Sequence, residues 1–313
     1  MKVGWILCGN IMGGSPRQIG INTSNWLNKN GVESLYFEGN DTVSVDASDQ
    51  IESCIDSNDF THLVFQKVCM GKAFEYLKRA KGKGIKTAYT MDDFMGEGFE
   101  MVKNADGVVA NSDLSVAVVR DHLKVSSIHI PTAYESPPEL CKENYDTDDP
   151  CVYWFGQLGN SNQVTQIQDL VQAAGYRFEV IASGPWGTKP WTLQYYNDLV
   201  QADIVIIPEF RLNTFPHVPL MLVTKGANRP TMAMVLGVPV VASPFPSYTD
   251  LISNWEDGVI CTKNTHDDFR VALHVLQEPK IREKMGRRGR AKVVDRYSQD
   301  TIGKEWIQFL QSI

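Results

Sequence analysis

The stretch Thr224–Ser243, TKGANRPTMAMVLGVPVVAS, decides how this chain is interpreted. Pro230 fits only the first turn of a helix, where its missing N–H is no loss, and Asn228 suits the cap position before it. Gly237 is expected to end the helix after one or two turns, ahead of the strand-like run Val238–Ala242. The stretch therefore predicts a short helix followed by a buried parallel strand.

The start of this predicted helix carries two basic side chains. A helix N-terminus attracts anions through its free N–H groups and its partial positive charge. Lys225 and Arg229 add two full charges at the same end, and arginine can hold phosphate oxygens through two parallel hydrogen bonds. We therefore predict a diphosphate-binding site that includes Lys225, Asn228 and Arg229. A solvated basic turn before an ordinary helix is the alternative that the residues leave open.

Length and composition bound the class of protein. The 313 residues accommodate two domains of about 150 residues each. The hydrophobic share of 43% and the charged share of 21% are typical of a soluble globular protein. A net charge of −7 argues against a nucleic-acid partner. The basic run Lys280–Arg296 is interpreted as a solvated helical face, with peripheral membrane contact as the alternative.

The cysteines and histidines show no spacing typical of a disulfide framework or a metal site. The apolar N-terminus is too short for a signal peptide, and no later apolar run reaches the length of a membrane span. We therefore expect a cytoplasmic protein with reduced thiols and no bound metal.

Short apolar runs alternate with helical patterns along the chain, which predicts an α/β fold with doubly wound parallel sheets. The predicted strands are Val3–Cys8, Ser34–Phe37, His62–Phe65, Thr87–Thr90, Gly107–Ala110, Ser127–Ile130, Val152–Phe155, Arg177–Ala182, Ile204–Ile207, Val238–Ala242 and Gly258–Cys261. The polar, proline-rich stretch Thr132–Pro150 between the halves is interpreted as a linker. Two Rossmann-like domains that face each other across a cleft are the expected architecture.

The central stretch resembles a known family. Lys-x-x-Asn-Arg followed by Ala-Met-x-x-Gly-Val-Pro-Val-Val-Ala-Ser is similar to the C-terminal domain of GT-B glycosyltransferases of the group 1 (family four) type, in which it holds the diphosphate of a nucleotide-sugar donor. A subgroup carries Lys-Ser-x-Asn-Arg in place of the usual pair of glutamates. Here Thr224 and Met232 stand about where those glutamates would be, and Gly226 replaces the subgroup's serine. The usual contacts to the donor sugar are therefore not carried over.

The resemblance covers most of the chain and implies a domain arrangement. Residues 1–135 would form an N-terminal Rossmann-like acceptor domain, and residues 150–298 a C-terminal Rossmann-like donor domain. Residues 299–313 would form a helix that packs back on the first domain.

A glycine-rich turn follows the first predicted strand. Such a turn lets backbone N–H groups approach a ligand closely. The pattern GG-S-x-R of the subgroup, whose loop lines the cleft near donor and acceptor, is matched by Gly13, Gly14, Ser15 and Arg17. The resemblance implies that Gly13, Gly14 and Ser15 bind the donor diphosphate and that Arg17 is a further donor or cleft residue. Ser15 is also interpreted as a helix N-cap.

Two adjacent carboxylates, Asp92 and Asp93, follow the strand Thr87–Thr90. Open α/β sheets bind ligands at such strand ends, and a carboxylate there can accept a proton or bind sugar hydroxyls. Members of the subgroup tend to have an Asp-Asp pair at this point. We predict that Asp92 or Asp93 orients or deprotonates the acceptor. The alternative is that one of them caps the following segment. Lys67 and Asn111 follow other strand ends, and Ser112 is interpreted as an N-cap.

The resemblance also implies donor contacts in the second half. The loop after its first strand offers Gln157 where relatives often have a basic residue. Trp186 lies where relatives place the nucleotide base, with core packing as the alternative. The further donor or cleft residues implied by family position are Gly156, Gln157, Ser183, Gly184, Arg211, Asn213 and Asp250.

The resemblance implies a hexosyltransferase-type glycosyltransferase of carbohydrate biosynthesis, metal-independent and retaining. The nucleotide-diphosphate sugar would be a co-substrate rather than a cofactor, and the acceptor would be a saccharide, a lipid-linked carrier or another hydroxyl compound. Lys225, Arg229 and the helix N-terminus would stabilise the departing diphosphate. A non-catalytic nucleotide-sugar-binding protein is the main alternative, because the glutamate pair is missing. A nucleotide-sugar epimerase on the same fold is a further alternative, for which the sequence shows no acid–base set.

Overall fold

The computed structural model describes residues 1–40, 43–93, 96–157, 162–183, 187–214, 222 and 224–313. The chain forms two compact units. Unit 1 comprises Met1–Ala133, Pro219–Gly226 and Tyr297–Ile313, and unit 2 comprises Tyr134–Val218 and Ala227–Arg296.

Unit 1 is built on a six-stranded parallel sheet with the order β2-β1-β4-β6-β7-β8. Its strands are β1 (Lys2–Leu7), β2 (Glu33–Phe37), β4 (His62–Gln66), β6 (Lys86–Met91), β7 (Gly107–Ala110) and β8 (Ser127–His129), and a small parallel pair is formed by β3 (Ser44–Val45) and β5 (Met70–Gly71).

Helices cover both faces of this sheet. They are α1 (Asn22–Lys29), preceded by a π-helical turn (Pro16–Ile21), α2 (Asp49–Asp56), α3 (Ala73–Gly82), α4 (Phe99–Asn104), α5 (Asp113–Val118), continued by a second π-helical turn (Val119–Leu123), and α12 (Gln299–Ser312). The last helix is held to this unit by aromatic side chains. Trp306 packs edge-on against Trp5 with ring centroids 4.9 Å apart, and Trp26 Nε1 donates to Asp300 at 2.7 Å.

Unit 2 contains a second six-stranded parallel sheet, with the order β11-β10-β9-β12-β13-β14. Its strands are β9 (Cys151–Phe155), β10 (Arg177–Ala182), β11 (Lys189–Pro190), β12 (Ile204–Ile207), β13 (Val240–Ala242) and β14 (Val259–Ile260). Its helices are α6 (Asn162–Ala173), α7 (Tyr196–Leu199), a 3-10 turn (Phe210–Thr214), α8 (Asn228–Val235), α9 (Pro246–Leu251), α10 (His266–Val275) and α11 (Pro279–Val293).

Each sheet has one point at which the strand order reverses. In unit 1 it lies between β1 and β4, and in unit 2 between β9 and β12. Open α/β sheets bind their ligands outside the carboxyl ends of the strands at such a point. The two reversal points are therefore the places where this fold offers binding sites.

The stretch interpreted as a linker is part of unit 2. Tyr145 is buried, and its hydroxyl donates to Gly237 O at 2.7 Å. Lys142 N donates to Leu236 O at 2.7 Å, and Arg282 Nη2 donates to Tyr145 O at 2.6 Å. The linker interpretation was wrong because these backbone and aromatic groups find their partners on α11 and on the turn after α8.

The basic run on α11 is only partly a solvated face. Arg282 is 1% exposed and donates to the carbonyls of Leu276 and Gln277, and Lys292 pairs with Asp257 at 2.9 Å. The exposed cations of this helix are Lys280, Lys284, Arg287 and Arg288. In the part of the chain that the structure describes, no helix is both long and apolar enough to cross a bilayer.

The central helix α8 begins one residue earlier than expected. Thr231 N donates to Ala227 O at 3.0 Å, so Ala227 occupies the N-cap position and Asn228 is the first helical residue. The prediction of Asn228 as the cap was therefore wrong. Gly237 ends the helical segment as expected, with a φ of +74° that favours glycine.

Candidate functional site

The acidic pair at the end of β6 lies beside the reversal point of unit 1, because β6 is the neighbour of β4 in the sheet. Asp93 accepts an ion pair from Lys67 Nζ at 2.7 Å and from Lys225 Nζ at 3.4 Å. The three side chains are mostly buried, at 23%, 18% and 15% exposure respectively. Asp93 is thus an anion clamped between two cations.

Two of these residues have unusual backbone conformations. Asp93 has a φ of +46° and Lys67 a φ of +68°. Left-handed conformations are uncommon outside glycine, and they persist where the surrounding structure holds them, often at functional sites. Here the ion pair itself joins the two strained residues.

The two carboxylates differ in their affinity for a proton. Burial acts to raise the pKa of Asp93, but the charges of Lys225 and Lys67 outweigh it and lower the pKa to about 2. Burial, followed by repulsion from Asp93, raises the pKa of Asp92. Because a base is more effective when its pKa is nearer the working pH, Asp92 is the better base of the two.

The glycine-rich loop after β1 contacts this pair through Ser15, whose hydroxyl donates to Asp92 Oδ2. Ser15 does not cap the following helix with its side chain, so that part of the prediction was wrong. Arg17 is buried, and its Nη1 donates to Ile11 O at 2.8 Å within the same loop. Gly13 N donates to Asn10 O at 3.0 Å, which closes the turn. Arg17 therefore holds the loop together, and a ligand contact by it stays a prediction.

Gly14 differs from its neighbour in the space around it. A Cβ atom at Gly13 would come within 2.7 Å of Pro16, whereas one at Gly14 would meet no atom within 4 Å. The backbone at Gly14 is therefore open to approach.

The chain around Thr224 is bound to unit 1 by polar contacts. Asp93 N donates to Thr224 O at 3.0 Å, and Asn111 Nδ2 donates to the same carbonyl. Residues 222 and 224–226 accordingly belong with unit 1 rather than with a donor domain of residues 150–298. The predicted division into residues 1–135, 150–298 and 299–313 does not hold for this segment, because these hydrogen bonds and the Lys225–Asp93 pair join positions that are more than 100 residues apart. Ser112, as expected, caps α5 by accepting from Ser115 N at 3.1 Å.

In unit 2, Arg229 reaches the reversal point of the sheet. Its Nη1 donates to Gln163 Oε1 at 3.1 Å and lies 3.5 Å from Phe155 O, and its guanidinium carbon lies 5.8 Å from the centre of the Trp154 ring. Its Nη2 is buried and has no hydrogen-bond partner among the described residues. A buried guanidinium nitrogen without a partner is costly, which makes it a place where an anion would bind favourably.

A buried carboxylate that the sequence analysis did not single out, Glu209, lies on the β12 side of this reversal point. Glu209 has no exposed surface and accepts from Arg211 Nε at 2.7 Å, from Arg211 Nη2 at 2.5 Å and from Gln163 Nε2 at 3.1 Å. Burial opposes its charge, but Arg211 outweighs burial and lowers the pKa of Glu209. The available signal was its position just after the buried strand β12. Gln163 joins Arg229 to Glu209 in one network.

Asn213 takes part in a structural network beside Glu209. Asn213 Nδ2 donates to Asn264 O at 2.8 Å, and Asn264 Nδ2 donates to Glu209 O at 2.9 Å. Ser243 Oγ donates to Asn264 Oδ1 and accepts from Glu209 N, both at 2.6 Å. These bonds hold the loop after β12 in place.

The ligand contacts predicted for the other residues of unit 2 stay predictions. Gly156 is half-buried, with its N donating to Ile181 O at 3.1 Å, and a Cβ there would come within 2.8 Å of the Trp154 ring. Gln157, Ser183 and Asp250 are exposed. The predictions for Gly184 and Trp186 lie outside the described residues.

The protein consists of two Rossmann-like units, and each unit has charged side chains at or beside the reversal point of its sheet. Residues 156–292, less than half of the chain, match the family described as Glycosyl transferases group 1. The predicted resemblance is thus confirmed for this segment, which carries most of unit 2. No curated protein matches the chain. The Lys-x-x-Asn-Arg subgroup stays a prediction.

Similar solved structures cover the rest of the chain. Sucrose-phosphate synthase from Thermosynechococcus elongatus is 13% identical with a TM-score of 0.69, covering 100% of this chain and 98% of that one. Anabaena HepE in complex with UDP and glucose is 12% identical with a TM-score of 0.67, covering 100% of both chains. TarM is 11% identical with a TM-score of 0.65 over 84% of this chain, which spans only 59% of TarM. At these identities the likeness shows the fold alone, and it confirms the predicted GT-B fold.

Proposed function

We propose that this protein is a glycosyltransferase that moves a sugar from a nucleotide-diphosphate sugar to an acceptor hydroxyl. The observation that carries the proposal is Arg229, which brings a buried, unpartnered Nη2 to the reversal point of the unit 2 sheet. The match of residues 156–292 to Glycosyl transferases group 1 supports it. So do two solved structures of the same fold, HepE in complex with UDP-glucose and the pneumococcal O-GlcNAc transferase GtfA in complex with UDP and GlcNAc.

On the donor side, the chemistry requires stabilisation of a diphosphate as it departs. A guanidinium presents parallel N–H donors to phosphate oxygens, and the N-terminus of α8 adds a partial positive charge. Lys225, four residues earlier in the chain, is the second proposed diphosphate ligand. Since basic side chains supply this charge, we include metal independence in the proposal. Retention of configuration at the sugar and transfer of a hexose also belong to it.

On the acceptor side, Asp92 is the proposed base or hydrogen-bond acceptor for the attacking hydroxyl. Ser15 donates to its Oδ2 and Asn111 Nδ2 lies 3.5 Å from its Oδ1, so the carboxylate is held in one orientation. Asp93 is neutralised by its two lysines and is assigned an orienting role. A saccharide, a lipid-linked carrier or another hydroxyl compound is the proposed acceptor, and the cytoplasm the proposed location.

The test of the donor site uses Arg229→Ala, Arg229→Lys and the matched control Arg288→Ala, which removes an exposed arginine of α11. We expect Arg229→Ala to weaken nucleoside-diphosphate binding roughly 10–100-fold, because a hydrogen bond to a charged group contributes about 1.5–3 kcal/mol. Arg229→Lys keeps the charge but loses the parallel N–H donors of the guanidinium, so its affinity should fall between those of the wild type and Arg229→Ala. Titration calorimetry in EDTA gives the affinities. Equal affinities for Arg229→Ala and Arg288→Ala would show that the diphosphate assignment is wrong.

Turnover separates an enzyme from a binding protein. The wild-type protein, a nucleotide sugar that it binds and a panel of hydroxyl acceptors are incubated together, and release of the nucleoside diphosphate is measured. We expect acceptor-dependent release. Tight binding without release for any acceptor would favour the non-catalytic alternative.

A further inference from the structure

A small cavity lies directly behind Asp92 in unit 1. It has a volume of about 20 Å³ and lies between the start of α1, the carboxyl ends of β6 and β7, and α12. Its polar lining includes Gln18, Thr23, Thr90, Asp92 and Asn111. This cavity plays no part in the donor site proposed above.

The cavity is lined by polar atoms that are buried and unsatisfied. Thr23 Oγ1, Thr90 Oγ1 and Asn111 Oδ1 each lack a hydrogen-bond partner among the described residues. Thr23 is 1% exposed and Thr90 is 3% exposed. Buried hydroxyl and amide groups are nearly always paired, because leaving one unpaired forfeits its hydrogen bonds to water without replacement. Three such atoms around one cavity indicate a polar occupant.

Size and chemistry limit what this occupant is. A water needs about 10–15 Å³ of such space, so the volume of about 20 Å³ holds about one water. Asn111 Oδ1 and an ionised Asp92 can only accept, whereas the two threonine hydroxyls can donate or accept. A water, with two donors and two acceptors, satisfies this set. Two cations already lie nearby, because the neighbouring carboxylate of Asp93 pairs with the ammonium groups of Lys67 and Lys225.

We propose that this cavity is a built-in water site, and that its water hydrogen-bonds to the Asp92 carboxylate from the buried side and positions it for the acceptor hydroxyl. The second half of this inference rests on the role proposed for Asp92 above. The first half rests on the cavity and its orphan atoms alone. Asp92 is a residue of the proposed reaction, and Thr23 and Thr90 are positioning residues that act on it through the water.

The test in solution uses Thr90→Val, which removes one of the orphan hydroxyls at nearly constant volume. Loss of a hydrogen bond to the charged form raises the pKa of a carboxyl group. We therefore expect the titration of Asp92, followed by its carboxyl ¹³C shift, to move upward by roughly 0.5–1 pH unit. The acid limb of the pH–rate profile should move in the same direction. Asp92→Asn identifies the signal, and Thr23→Val replaces Thr90→Val if the latter does not fold.

The matched control is Thr87→Val on the same strand. Thr87 is equally buried, but its hydroxyl is bonded to Asp106 Oδ2 at 2.9 Å and does not line the cavity. We expect Thr87→Val to lower the melting temperature while leaving the Asp92 titration unmoved. The positioning role would be overturned if Thr87→Val moved the Asp92 titration and Thr90→Val did not, or if neither variant moved it.

A high-resolution crystal structure tests the water site without any measurement of activity. We expect one ordered water within hydrogen-bond distance of Thr23 Oγ1, Thr90 Oγ1 and Asn111 Oδ1. A cavity without density would overturn the proposal, and so would an anomalous peak in crystals soaked with Tl⁺, which would identify a cation site. An ordered water in a protein that lacks transferase activity would locate the failure in the proposed function rather than in the water site.

Discussion

Asp93 shows how a single residue can be fixed by its neighbours. Its carboxylate contacts two lysines, one after β4 and one just before α8, and its own N–H bonds to Thr224 O. The same residue therefore ties together three parts of the chain of unit 1. Its charge is stabilising wherever both lysines are protonated.

Asp93→Asn should lower stability by about 2–3 kcal/mol, somewhat less than for a fully buried pair, because two mostly buried lysines would lose their anion. The folded-state pKa of Asp93, about 2, lies below its usual value. Its contribution is therefore complete above about pH 4 and is lost as the pH falls from about 4 to about 2. Urea unfolding at stepped pH, followed by tryptophan fluorescence, measures both effects.

The control for this prediction is Asp169→Asn, which changes an exposed carboxylate on α6. Asp93→Asn should flatten the stability profile between pH 4 and pH 2, whereas Asp169→Asn should leave its slope intact. Identical profiles for the two variants would show that the lysine contacts do not stabilise the folded state.

At the scale of elements, α11 is a packing element of unit 2. It lies so close to the turn after α8 that a Cβ at Gly286 would be 2.0 Å from Gly237 O. Its buried Arg282 bonds to backbone carbonyls, including that of Tyr145 in the predicted linker. Helix α11, the turn after α8 and the segment around Tyr145 thus pack together.

Gly286→Ala should destabilise the protein by about 2–3 kcal/mol, because the added methyl group must displace backbone rather than a flexible side chain. Gly82→Ala is the matched control, since it adds a methyl group near the end of α3 where no atom lies within 4 Å. That control should be neutral or stabilising by up to about 1 kcal/mol, since alanine favours helix more than glycine does. Urea midpoints compare the two, and an equal response would mean that the close contact does not constrain α11.

At the scale of the whole molecule, both units carry charged groups at or beside the reversal point of a parallel sheet, but the groups differ. Unit 1 presents a buried acid pair neutralised by lysines, and unit 2 presents an arginine linked through Gln163 to a buried glutamate. The first set suits proton handling and hydroxyl binding, and the second suits anion binding. This difference supports a division of labour between acceptor chemistry and donor binding.

A thermal-shift panel tests the donor assignment on the intact protein. A nucleoside diphosphate present at about 100 times its Kd should stabilise the folded protein by about 2.7 kcal/mol, in EDTA as well as in Mg²⁺. The base that gives the largest rise in Tm identifies the donor nucleotide, and Arg229→Ala should reduce the rise at the same nucleotide concentration. No shift with any nucleotide would contradict the proposed function, and a shift only with Mg²⁺ would contradict metal independence alone.

The local pattern of the sequence determined the secondary structure well. Gly107–Ala110, Arg177–Ala182 and Ile204–Ile207 were predicted with the bounds they have, because a buried parallel strand needs only a short apolar run. Gly237 was placed correctly because one residue's φ decides how a helix ends. The fold class followed from the alternation of these elements along the chain.

Only the tertiary structure decided the site and the division of the chain. The clamp on Asp93 joins Lys67 to Lys225, and the network of Arg229 joins Gln163 to Glu209. The polar and proline-rich neighbours of Tyr145 are typical of a linker and led to that prediction. The hydrogen-bond partners that contradict it, Gly237 and Arg282, lie about 90 and 140 residues further along the chain. Apolar periodicity relates residues that are only a few positions apart, so it can be recognised in the sequence itself. Ion pairs and buried hydrogen bonds depend on which distant strand ends meet, and folding alone brings those ends together.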